Sequence, residues 1–325
     1  MKKVLIIFGG NSSEHKVSCI SAKSIVNNID TKLFNVTLCG ISKDNIWYIY
    51  NDEFQTLDDN WLNKKIQKID NIIQFLKEFD VVFPIIHGNN GEDGKLQGLF
   101  DLFDIKYVGS KTSASAIGMD KEMSKILFEH LKIKQVPYIT VDEDYSLKEI
   151  EKQITFPLIV KPANGGSSIG IKKANKKSEL KKAINEALKY DKKIIIEKYI
   201  KPRELEIAIL QDKNKLIASD IGEIIPSNEF YDYKAKYKSN SKLIIPSDID
   251  NEVSLKIKDY ALKIFKNIGA KNYARIDFFL ENNEIYINEI NTIPGFTKDS
   301  MYPKLIMHMG ISYKDLITKL IYNSI

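Results

Sequence analysis

The sequence predicts a mixed α/β and α+β protein, in which an amino-terminal doubly wound parallel sheet is followed by two smaller α+β units. Short, continuous apolar runs alternate with helical periods over the first hundred residues, and such runs are typical of buried parallel strands. Strand-length segments follow one another towards the carboxyl terminus, which indicates antiparallel pairing. A chain of 325 residues is long enough for two or three units around a large core.

The amino-terminal sheet is predicted from segments that alternate in type. The strands are Val4–Phe8, Phe34–Ile41 and Val81–Ile86, and the helices are Val17–Ile29 and Asp93–Phe103. Ligands of doubly wound sheets bind beyond the carboxyl ends of the strands. The loops Gly9–His15 and His87–Gly94 follow two of these strands, so we expect them to face a ligand.

The pattern changes near Gly118, where two further units are predicted. The elements of the first unit are the helix Asp120–Leu131, the strand Pro157–Ala163, the helix Lys177–Lys189 and the strand Ile194–Glu197. The strands of the second unit are Glu204–Gln211, Tyr273–Leu280 and Glu284–Asn291. A long loop at about residues 226–248 interrupts them and has the length of a lid or a binding loop. We therefore expect domains at residues 1–118, 119–199 and 200–325.

Composition and charge argue against several classes of protein. The net charge of +5 comes from lysines scattered along the whole chain, without a basic stripe of the kind that binds nucleic acid. No apolar run approaches the roughly 18 residues that span a membrane. Cys19 and Cys39 lie apart from any zinc-binding spacing and are predicted to be buried thiols in a reducing compartment. We expect a cytoplasmic protein with neither a nucleic-acid nor a membrane partner.

The carboxyl-terminal hairpin is the first candidate for chemistry. Asp277 lies on one predicted strand, and Glu289 and Asn291 lie on the next. A hairpin brings these side chains to one face, because residues two apart on a strand share a side. Two carboxylates and an amide oxygen are the hard ligands that hold Mg²⁺ against phosphates. The alternative is a solvated acidic hairpin, and the apolar residues 285–287 together with Pro294-Gly295 argue against it.

A glycine- and serine-rich loop at residues 165–170 follows the strand that carries Lys161. Such a loop lets backbone N–H groups and hydroxyls approach phosphate oxygens closely. The loop lacks the Gly-Lys-Ser/Thr ending of a Walker A motif and does not match Gly-x-Gly-x-x-Gly. A plain hairpin turn is the alternative, and the position of Lys161 after the apolar residues 158–160 favours a phosphate site.

Two acidic, glycine-rich loops follow strands of the amino-terminal sheet. One carries Glu14 and His15, and the other carries His87, Glu92 and Asp93. Asp93 can serve as a helix N-cap, and the glycines can serve the turn. This interpretation leaves His87 and Glu92 without a role. Acids from two loops at one edge of a sheet are suited to binding a small ammonium group.

Together these segments resemble the D-alanine–D-alanine ligases of the ATP-grasp superfamily. The matching motifs run in family order over residues 4 to about 315 and are Phe8-Gly-Gly-x-Ser-x-Glu14-His15, His87-Gly-x-x-Gly-Glu-Asp-Gly-x-x-Gln-Gly98, Tyr107-Val-Gly-Ser110, Asp120-Lys121-x-x-x-Lys125, Val160-Lys-Pro162, Gly166-Ser-Ser168, Phe230-Tyr-Asp-Tyr-Lys-Ala-Lys-Tyr237, Ala274-Arg-Ile-Asp277, Glu289-Ile-Asn-Thr-Ile-Pro-Gly-Phe-Thr297 and Ser300. Each motif alone is modest evidence, whereas the ordered set is specific.

The resemblance implies an enzyme that joins two D-alanines with ATP, through an acyl phosphate, for peptidoglycan precursor synthesis. It implies that the two α+β units are ATP-grasp subdomains that clamp ATP. Two Mg²⁺ ions, with Mn²⁺ as a substitute, are expected on Asp277, Glu289 and Asn291. The residues expected to bind the nucleotide are Lys121, Lys161 and Ser168 at the phosphates, Glu197 and Lys198 at the adenine, Glu204 at the ribose and Lys236 on the closing lid.

The remaining matches concern the two D-alanines. Glu14 matches the acid that receives the first substrate's ammonium group, and Ser167 and Tyr237 support it. The other matches are His87 in the wall of that pocket, Arg275 and the N–H of Gly295 as donors to the oxyanion and the acyl phosphate, and Ser300 with the backbone of Met301 at the second carboxylate. Relatives are commonly homodimers, so a second copy is the expected protein partner.

The chain departs from the family pattern just before Gly166. Gly165 stands where an acidic residue is usual, and Asn164 stands where a basic residue is common. Two rival functions stay open, namely a D-alanine–D-lactate or D-alanine–D-serine ligase and a nucleotide-binding module that has lost catalysis. The lid motif at residues 231–237 favours D-alanine over the first rival, and the full set of metal and phosphate residues argues against the second.

Overall fold

The computed structural model describes residues 1–225 and 242–325. Its strands are β1 (Lys2–Gly9), β2 (Phe34–Ile41), β3 (Trp47–Tyr50), β4 (Ile66–Lys68), β5 (Val81–Pro84), β6 (Tyr138–Val141), β7 (Leu158–Pro162), β8 (Lys172–Ala174), β9 (Ile194–Lys198), β10 (Arg203–Asp212), β11 (Lys215–Ile225), β12 (Lys242–Ile244), β13 (Tyr273–Glu281) and β14 (Glu284–Asn291). Its helices are α1 (His15–Val26), α2 (Ile72–Leu76), α3 (Lys95–Leu102), α4 (Thr112–Met119), α5 (Lys121–His130), α6 (Leu147–Gln153), α7 (Lys177–Ala187), α8 (Asn251–Ile268), α9 (Met301–His308) and α10 (Tyr313–Tyr322). Two short 3-10 helices lie at Phe54–Thr56 and Trp61–Asn63.

The amino-terminal sheet has the strand order β4-β3-β2-β1-β5 in the described part of the chain. β1 pairs in parallel with both β2 and β5, and Val4–Phe8 is fully buried, as its continuous apolar run predicted. The sheet is not parallel throughout, because β3 and β4 form an antiparallel edge. These two strands are four and three residues long, and such short segments do not show a recognisable hydrophobic period.

The central sheet has the order β6-β9-β7-β8, and all of its described pairs are antiparallel. The amphipathic helix α7 packs on it through Leu180, Ala183, Ile184 and Ala187, which recur at helical spacing. The buried residues of this core all fall between Ile150 and Ile196. The central sheet therefore packs around a core of its own.

The carboxyl-terminal sheet has the order β12-β11-β10-β13-β14 and is antiparallel in every pair that the structure describes. The three predicted strands become β10, β13 and β14, whereas β11 and β12 were not predicted. β12 takes residues 242–244 out of the predicted loop, and residues 226–241 of that loop lie outside the described ranges. The predicted combination of a parallel-containing sheet with antiparallel α+β units is thus confirmed.

One hydrophobic core joins the first of these sheets to the last. Phe83, on β5, packs in the same cluster as Phe296, Tyr302 and Leu316. The ring of Phe296 is fully buried, and its centroid lies 5.8 Å from that of Phe83 and 6.0 Å from that of Tyr302. The amino- and carboxyl-terminal sheets therefore pack as one body, and their edges meet at a common cleft.

The two cysteines belong to the core, as predicted. Cys19 and Cys39 are buried free thiols, and burial raises the pKa of Cys19 to about 12. None of the helices in the described ranges combines the length and the apolar run that crossing a membrane takes.

Replacing the buried Phe296 by Ala is expected to lower the free energy of unfolding by about 3–5 kcal/mol, the usual cost of truncating a buried aromatic ring. Denaturant unfolding of the whole chain measures this change. Leu102→Ala is the control, because Leu102 is 76% exposed and its truncation should change stability by less than about 0.5 kcal/mol. Equal losses in the two variants would contradict a core shared through Phe296.

Candidate active site

The three sheets surround one cleft of about 1130 Å³. Loops of the amino-terminal sheet, the strands β7 and β9, and the strands β10, β13 and β14 all contribute to its wall. Every predicted site residue within the described ranges lines this cleft, namely Glu14, His87, Lys121, Lys161, Ser167, Ser168, Glu197, Lys198, Glu204, Arg275, Asp277, Glu289, Asn291, Gly295, Ser300 and Met301. The predicted residues Lys236 and Tyr237 lie outside the described part of the chain.

Glu14 stands where two distant loops meet. The hydroxyl of Ser167, in the glycine–serine loop, donates a hydrogen bond to Oε1 of Glu14. The other oxygen, Oε2, would lie 2.8 Å from a Cβ atom at Gly166, so a larger residue there would push the Glu14 carboxylate out of this position. Glu14 is only 8% exposed, and its carboxylate faces the cleft as an acceptor for a small cationic group.

His87 and Glu92 hold the backbone of Ile293 from two sides. Nδ1 of His87 lies 3.0 Å from the carbonyl oxygen of Ile293, and this nitrogen carries the proton because a carbonyl can only accept. The N–H of Ile293 donates to Oε1 of Glu92 at 3.2 Å, and the N–H of Gly88 donates to Oε2 at 2.7 Å. These bonds fix the segment that leads to Gly295.

Burial sets the charge of both side chains. Burial lowers the pKa of His87, and the second ring nitrogen accepts a hydrogen bond from the hydroxyl of Ser21 at 3.0 Å. Burial and then the neighbouring Glu14 carboxylate raise the pKa of Glu92 to about 8, although two backbone N–H groups stabilise its ionised form. We therefore expect a neutral His87 and a largely protonated Glu92 at neutral pH.

Lys121 and Lys161 line the cleft from different elements. Lys121, in the first turn of α5, donates from Nζ to the carbonyl oxygen of Gly165 at 2.6 Å. Lys161, on β7, lies with Nζ 2.8 Å from Oε2 of Glu197. Ammonium groups, serine hydroxyls and backbone N–H groups at one place are the donors that a phosphate chain requires.

The departure from the family pattern at Asn164 has a structural role. Its backbone N–H and its side-chain amide both donate to Oδ2 of Asp191, at 2.7 and 3.0 Å. Gly165, the second departure, contributes its carbonyl oxygen to the bond with Lys121. The start of the loop is thus anchored at both positions.

The side chains of Glu197 and Lys198 are both engaged by the protein. Oε1 of Glu197 lies 2.7 Å from Nζ of Lys125, and Lys161 takes the other oxygen. Nζ of Lys198 donates to the carbonyl oxygen of Phe156 at 2.7 Å, which anchors the turn before β7. The backbone of β9 is therefore the part of this pair that is best placed to meet a base.

Three carboxylates form a row across β10, β13 and β14. The register places Glu206 opposite Asp277 and Asp277 opposite Glu289, and directly opposed residues share a face of the sheet. Arg275 donates to both oxygens of Asp277, from Nε at 2.7 Å and from Nη2 at 2.8 Å, and its Nε lies 2.9 Å from Oε2 of Glu206. Although burial alone would lower it, these carboxylates hold the pKa of Arg275 well above its ordinary value.

The predicted metal ligands lie in this cluster. Asn291 donates from Nδ2 to Oδ2 of Asp277 at 3.0 Å. No three His, Cys, Asp or Glu side chains of the described ranges converge in a way that could hold a metal ion alone. Mg²⁺ needs fewer such side chains, because it binds through one or two carboxylates and takes further oxygens from phosphates and water. A carboxylate has about four lone-pair sites, so Asp277, Glu289 and the amide oxygen of Asn291 fit such a cation.

Gly295, Ser300 and Met301 form the carboxyl-terminal lip of the cleft. The side-chain oxygen of Ser300 accepts the backbone N–H of Thr297 at 3.1 Å, which closes the turn before α9. Met301 begins α9, and the first N–H groups of a helix lack partners within it. These donors and the helix dipole favour a carboxylate at this end of the cleft.

Three residues of this region received no role from the sequence. Glu206 follows Glu204 by two positions on a strand, and that spacing alone indicates a shared face. Glu92 was left unexplained, and its role is visible only in its bonds to Gly88 and Ile293. Lys125 is part of a quoted motif, but nothing in the sequence indicates that it is only 2% exposed.

Two family models match most of the chain. The model described as "D-ala D-ala ligase N-terminus" matches residues 3–110, and the model described as "D-ala D-ala ligase C-terminus" matches residues 127–322. A D-alanine–D-alanine ligase of Acetivibrio thermocellus is 46% identical over 98% of this chain and 95% of its own length.

Solved structures agree with these matches. The VanG D-Ala:D-Ser ligase from Enterococcus faecalis has a TM-score of 0.90 at 37% identity and covers 100% of this chain and 99% of its own. The D-alanine–D-alanine ligase from Bacillus anthracis, solved with ATP, has a TM-score of 0.80 at 27% identity, with 100% and 97% covered. The resemblance seen in the sequence is confirmed, and the chain belongs to the D-alanine–D-alanine ligase family of ATP-dependent ligases, with the ATP-grasp fold.

Proposed function

We propose that the chain joins two D-alanines to D-alanyl-D-alanine for peptidoglycan precursor synthesis, with ADP and phosphate as the other products. The observation that carries this proposal is the meeting of Glu14 with Ser167 at one end of a cleft whose other walls hold lysines and an acidic row. An acceptor for an ammonium group thus lies beside groups suited to phosphates and divalent cations. That arrangement supports the activation of a small amino acid by ATP.

The first D-alanine binds through its ammonium group to Glu14, which Ser167 holds in place. Its carboxylate then faces Lys121 and Lys161, which donate hydrogen bonds to the phosphates of ATP, across the cleft. Fixing both reactants in one orientation supplies much of the rate enhancement in phosphoryl transfer. The ribose binds at Glu204 and the base beside the backbone of β9.

Asp277, Glu289 and Asn291 hold the divalent cations, which we propose to be two Mg²⁺ ions with Mn²⁺ as a substitute. Bound cations of this kind neutralise the charge of the phosphoryl group in transfer. Arg275 and the N–H of Gly295 donate to the oxygen that becomes negative when the second amine attacks the acyl phosphate. One such donor typically contributes about 2.7–4 kcal/mol to lowering the barrier.

The second D-alanine binds by its carboxylate at Ser300 and at the first N–H groups of α9. Within the predicted loop at residues 226–248, of which residues 242–244 form β12, the part that carries Lys236 and Tyr237 acts as the lid that excludes water from the acyl phosphate. We further propose three domains, at residues 1–118, 119–199 and 200–325, and a homodimer as the assembly. The motif at residues 231–237 supports the lid assignment.

D-Serine as the second substrate is the alternative to D-alanine. It is supported by the likeness to VanG, a D-Ala:D-Ser ligase that shares 37% of its sequence with this chain. The higher identity to a D-alanine–D-alanine ligase, 46%, favours D-alanine.

The metal assignment predicts the outcome of two isosteric substitutions. Asp277→Asn and Glu289→Gln should each lower D-alanine-dependent ADP release by about a hundredfold or more, since each removes charge from the site that stabilises the phosphoryl group. Glu284→Gln, on the same hairpin but with a side chain that is 57% exposed, is the matched control and should retain activity. Undiminished turnover in both site variants would overturn the assignment.

The substrate assignment predicts the product. With D-alanine, D-serine and D-lactate supplied together at neutral pH, most of the product should be D-alanyl-D-alanine, as measured by chromatography of the reaction mixture. A majority of D-alanyl-D-serine would select the alternative, and a majority of D-alanyl-D-lactate would reject both.

Glu92 predicts a pH dependence of stability. Its pKa in the folded chain, about 8, lies above the ordinary carboxyl value of 4.5, so the folded protein keeps a proton that the unfolded chain releases. The contribution of Glu92 to stability therefore falls as the pH rises from about 4.5 to about 8. Glu92→Gln should lose less free energy of unfolding over this interval than the unsubstituted protein. Identical pH profiles for both proteins would show that Glu92 has an ordinary pKa.

A further inference from the structure

A buried triad of charged side chains lies at the nucleotide side of the cleft. Lys125, on α5, is 2% exposed, and Lys161 and Glu197, on β7 and β9, are each 6% exposed. Nζ of Lys125 lies 2.7 Å from Oε1 of Glu197, and Nζ of Lys161 lies 2.8 Å from Oε2. Of the three, only Lys161 and Glu197 line the cleft, so Lys125 acts from behind its wall.

The geometry indicates that all three groups are charged. A separation of 2.7 Å is that of a charge-assisted hydrogen bond. The ammonium of Lys125 also lies 4.6 Å from the ring centroid of Tyr138, a contact that favours a cation. Although burial alone would raise it, Lys125 and Lys161 lower the pKa of Glu197 to about 2.

Two ammonium groups therefore share one carboxylate in a buried place. Burial lowers the pKa of Lys125, Glu197 opposes that shift, and Glu289 attracts the ammonium more weakly. A one-to-one pair of Lys161 with Glu197 would be neutral, and it would hold the ammonium of Lys161 against the carboxylate. With Lys125 present, the triad keeps an excess positive charge that an anion in the cleft can satisfy.

We propose that Lys125 is a positioning residue for ATP. It binds one oxygen of the Glu197 carboxylate, so that Glu197 only partly neutralises Lys161 and the positive charge of Lys161 remains available to the nucleotide phosphates. This inference rests on the proposed function, because it takes Lys161 as a phosphate ligand. Lys125 touches neither the nucleotide nor the reacting atoms and acts only through Glu197.

A purely structural role for Lys125 makes a different prediction. Phe128, on the same helix, and Leu131, just after it, pack in the core of the carboxyl-terminal sheet, whereas Glu197 belongs to the central sheet. If Lys125 served only as a brace between the two sheets, its loss would weaken the binding of every ligand equally. Charge sharing instead predicts a loss that depends on the phosphates of the ligand.

The test compares the binding of adenosine and of Mg²⁺-ATP by calorimetry, without D-alanine, in the unsubstituted protein and in Lys125→Met. ATP affinity should fall about tenfold or more, the effect of removing one unit charge near a polyanion, while adenosine affinity changes by less than about twofold. Lys134→Met is the matched control, because this lysine is exposed and pairs with Glu284 on the surface. An equal loss for both ligands, or an unchanged ATP affinity, would overturn the proposal.

A double variant, compared with Lys125→Met, adds a second criterion that a purely structural role would not meet. The double substitution Lys125→Met with Glu197→Gln removes one positive and one negative charge, and it leaves Lys161 without its counterion. The ratio of ATP to adenosine affinity should then return to within about threefold of the original value. A ratio that stays depressed in the double variant rejects charge sharing. Failure of the unsubstituted protein to release ADP with D-alanine would reject the proposed function instead, and the two failures are thus distinguishable.

Discussion

The chemistry of the cleft depends on the antiparallel pairing of β13 with β14, because that register decides which charges meet. It sets Asp277 opposite Glu289 and Arg275 opposite Asn291, and β10 adds Glu206 to the acidic row. Like charges directly opposite each other destabilise a sheet. Arg275 offsets this repulsion by binding both oxygens of Asp277. A shift by one residue would move the whole set to the other face of the sheet, so this register is strongly constrained.

A second constraint is the distance in sequence between the groups that must act together. His87 and Glu92 hold Ile293 because the shared core fixes the first and last sheets against each other. Glu14 meets Ser167 across a different boundary, because Ser167 belongs to the central unit, which has a core of its own. The loops can approach so closely because glycine at positions 88 and 166 leaves room for the carboxylate of Glu14. The aromatic core and the hydrogen bonds of Glu14, His87 and Glu92 thus maintain the same arrangement of the cleft.

How far the sequence predicts this structure depends on the range of the interactions involved. The strands Phe34–Ile41 and Glu284–Asn291 were predicted to the residue, since strand period and turn signals are local. The antiparallel edge of the first sheet and the long strand β11 were missed, because neither shows a clear alternation of buried and exposed residues. His15 was grouped with Glu14 in one motif, yet its Nε2 accepts a hydrogen bond from the indole N–H of Trp61 at 3.0 Å and so supports the fold. Partners supplied by distant elements cannot be inferred from spacing. The burial of Lys125 could not be inferred either, because it also results from elements that are distant in the sequence.

The cleft separates its charges, with a cationic wall on the central sheet and an anionic wall on the carboxyl-terminal sheet. The central sheet has its own core, so its position against the other two sheets depends more on contacts across the cleft than on shared packing. Lys161 shares Glu197 with Lys125 and therefore favours an anion. The row of Glu206, Asp277 and Glu289 favours cations. A triphosphate alone would be repelled by the acidic row, and a divalent cation alone would be repelled by the lysines. A nucleotide that carries its own divalent cations complements both walls at once, and we therefore expect its binding to stabilise the position of the central unit against the carboxyl-terminal one.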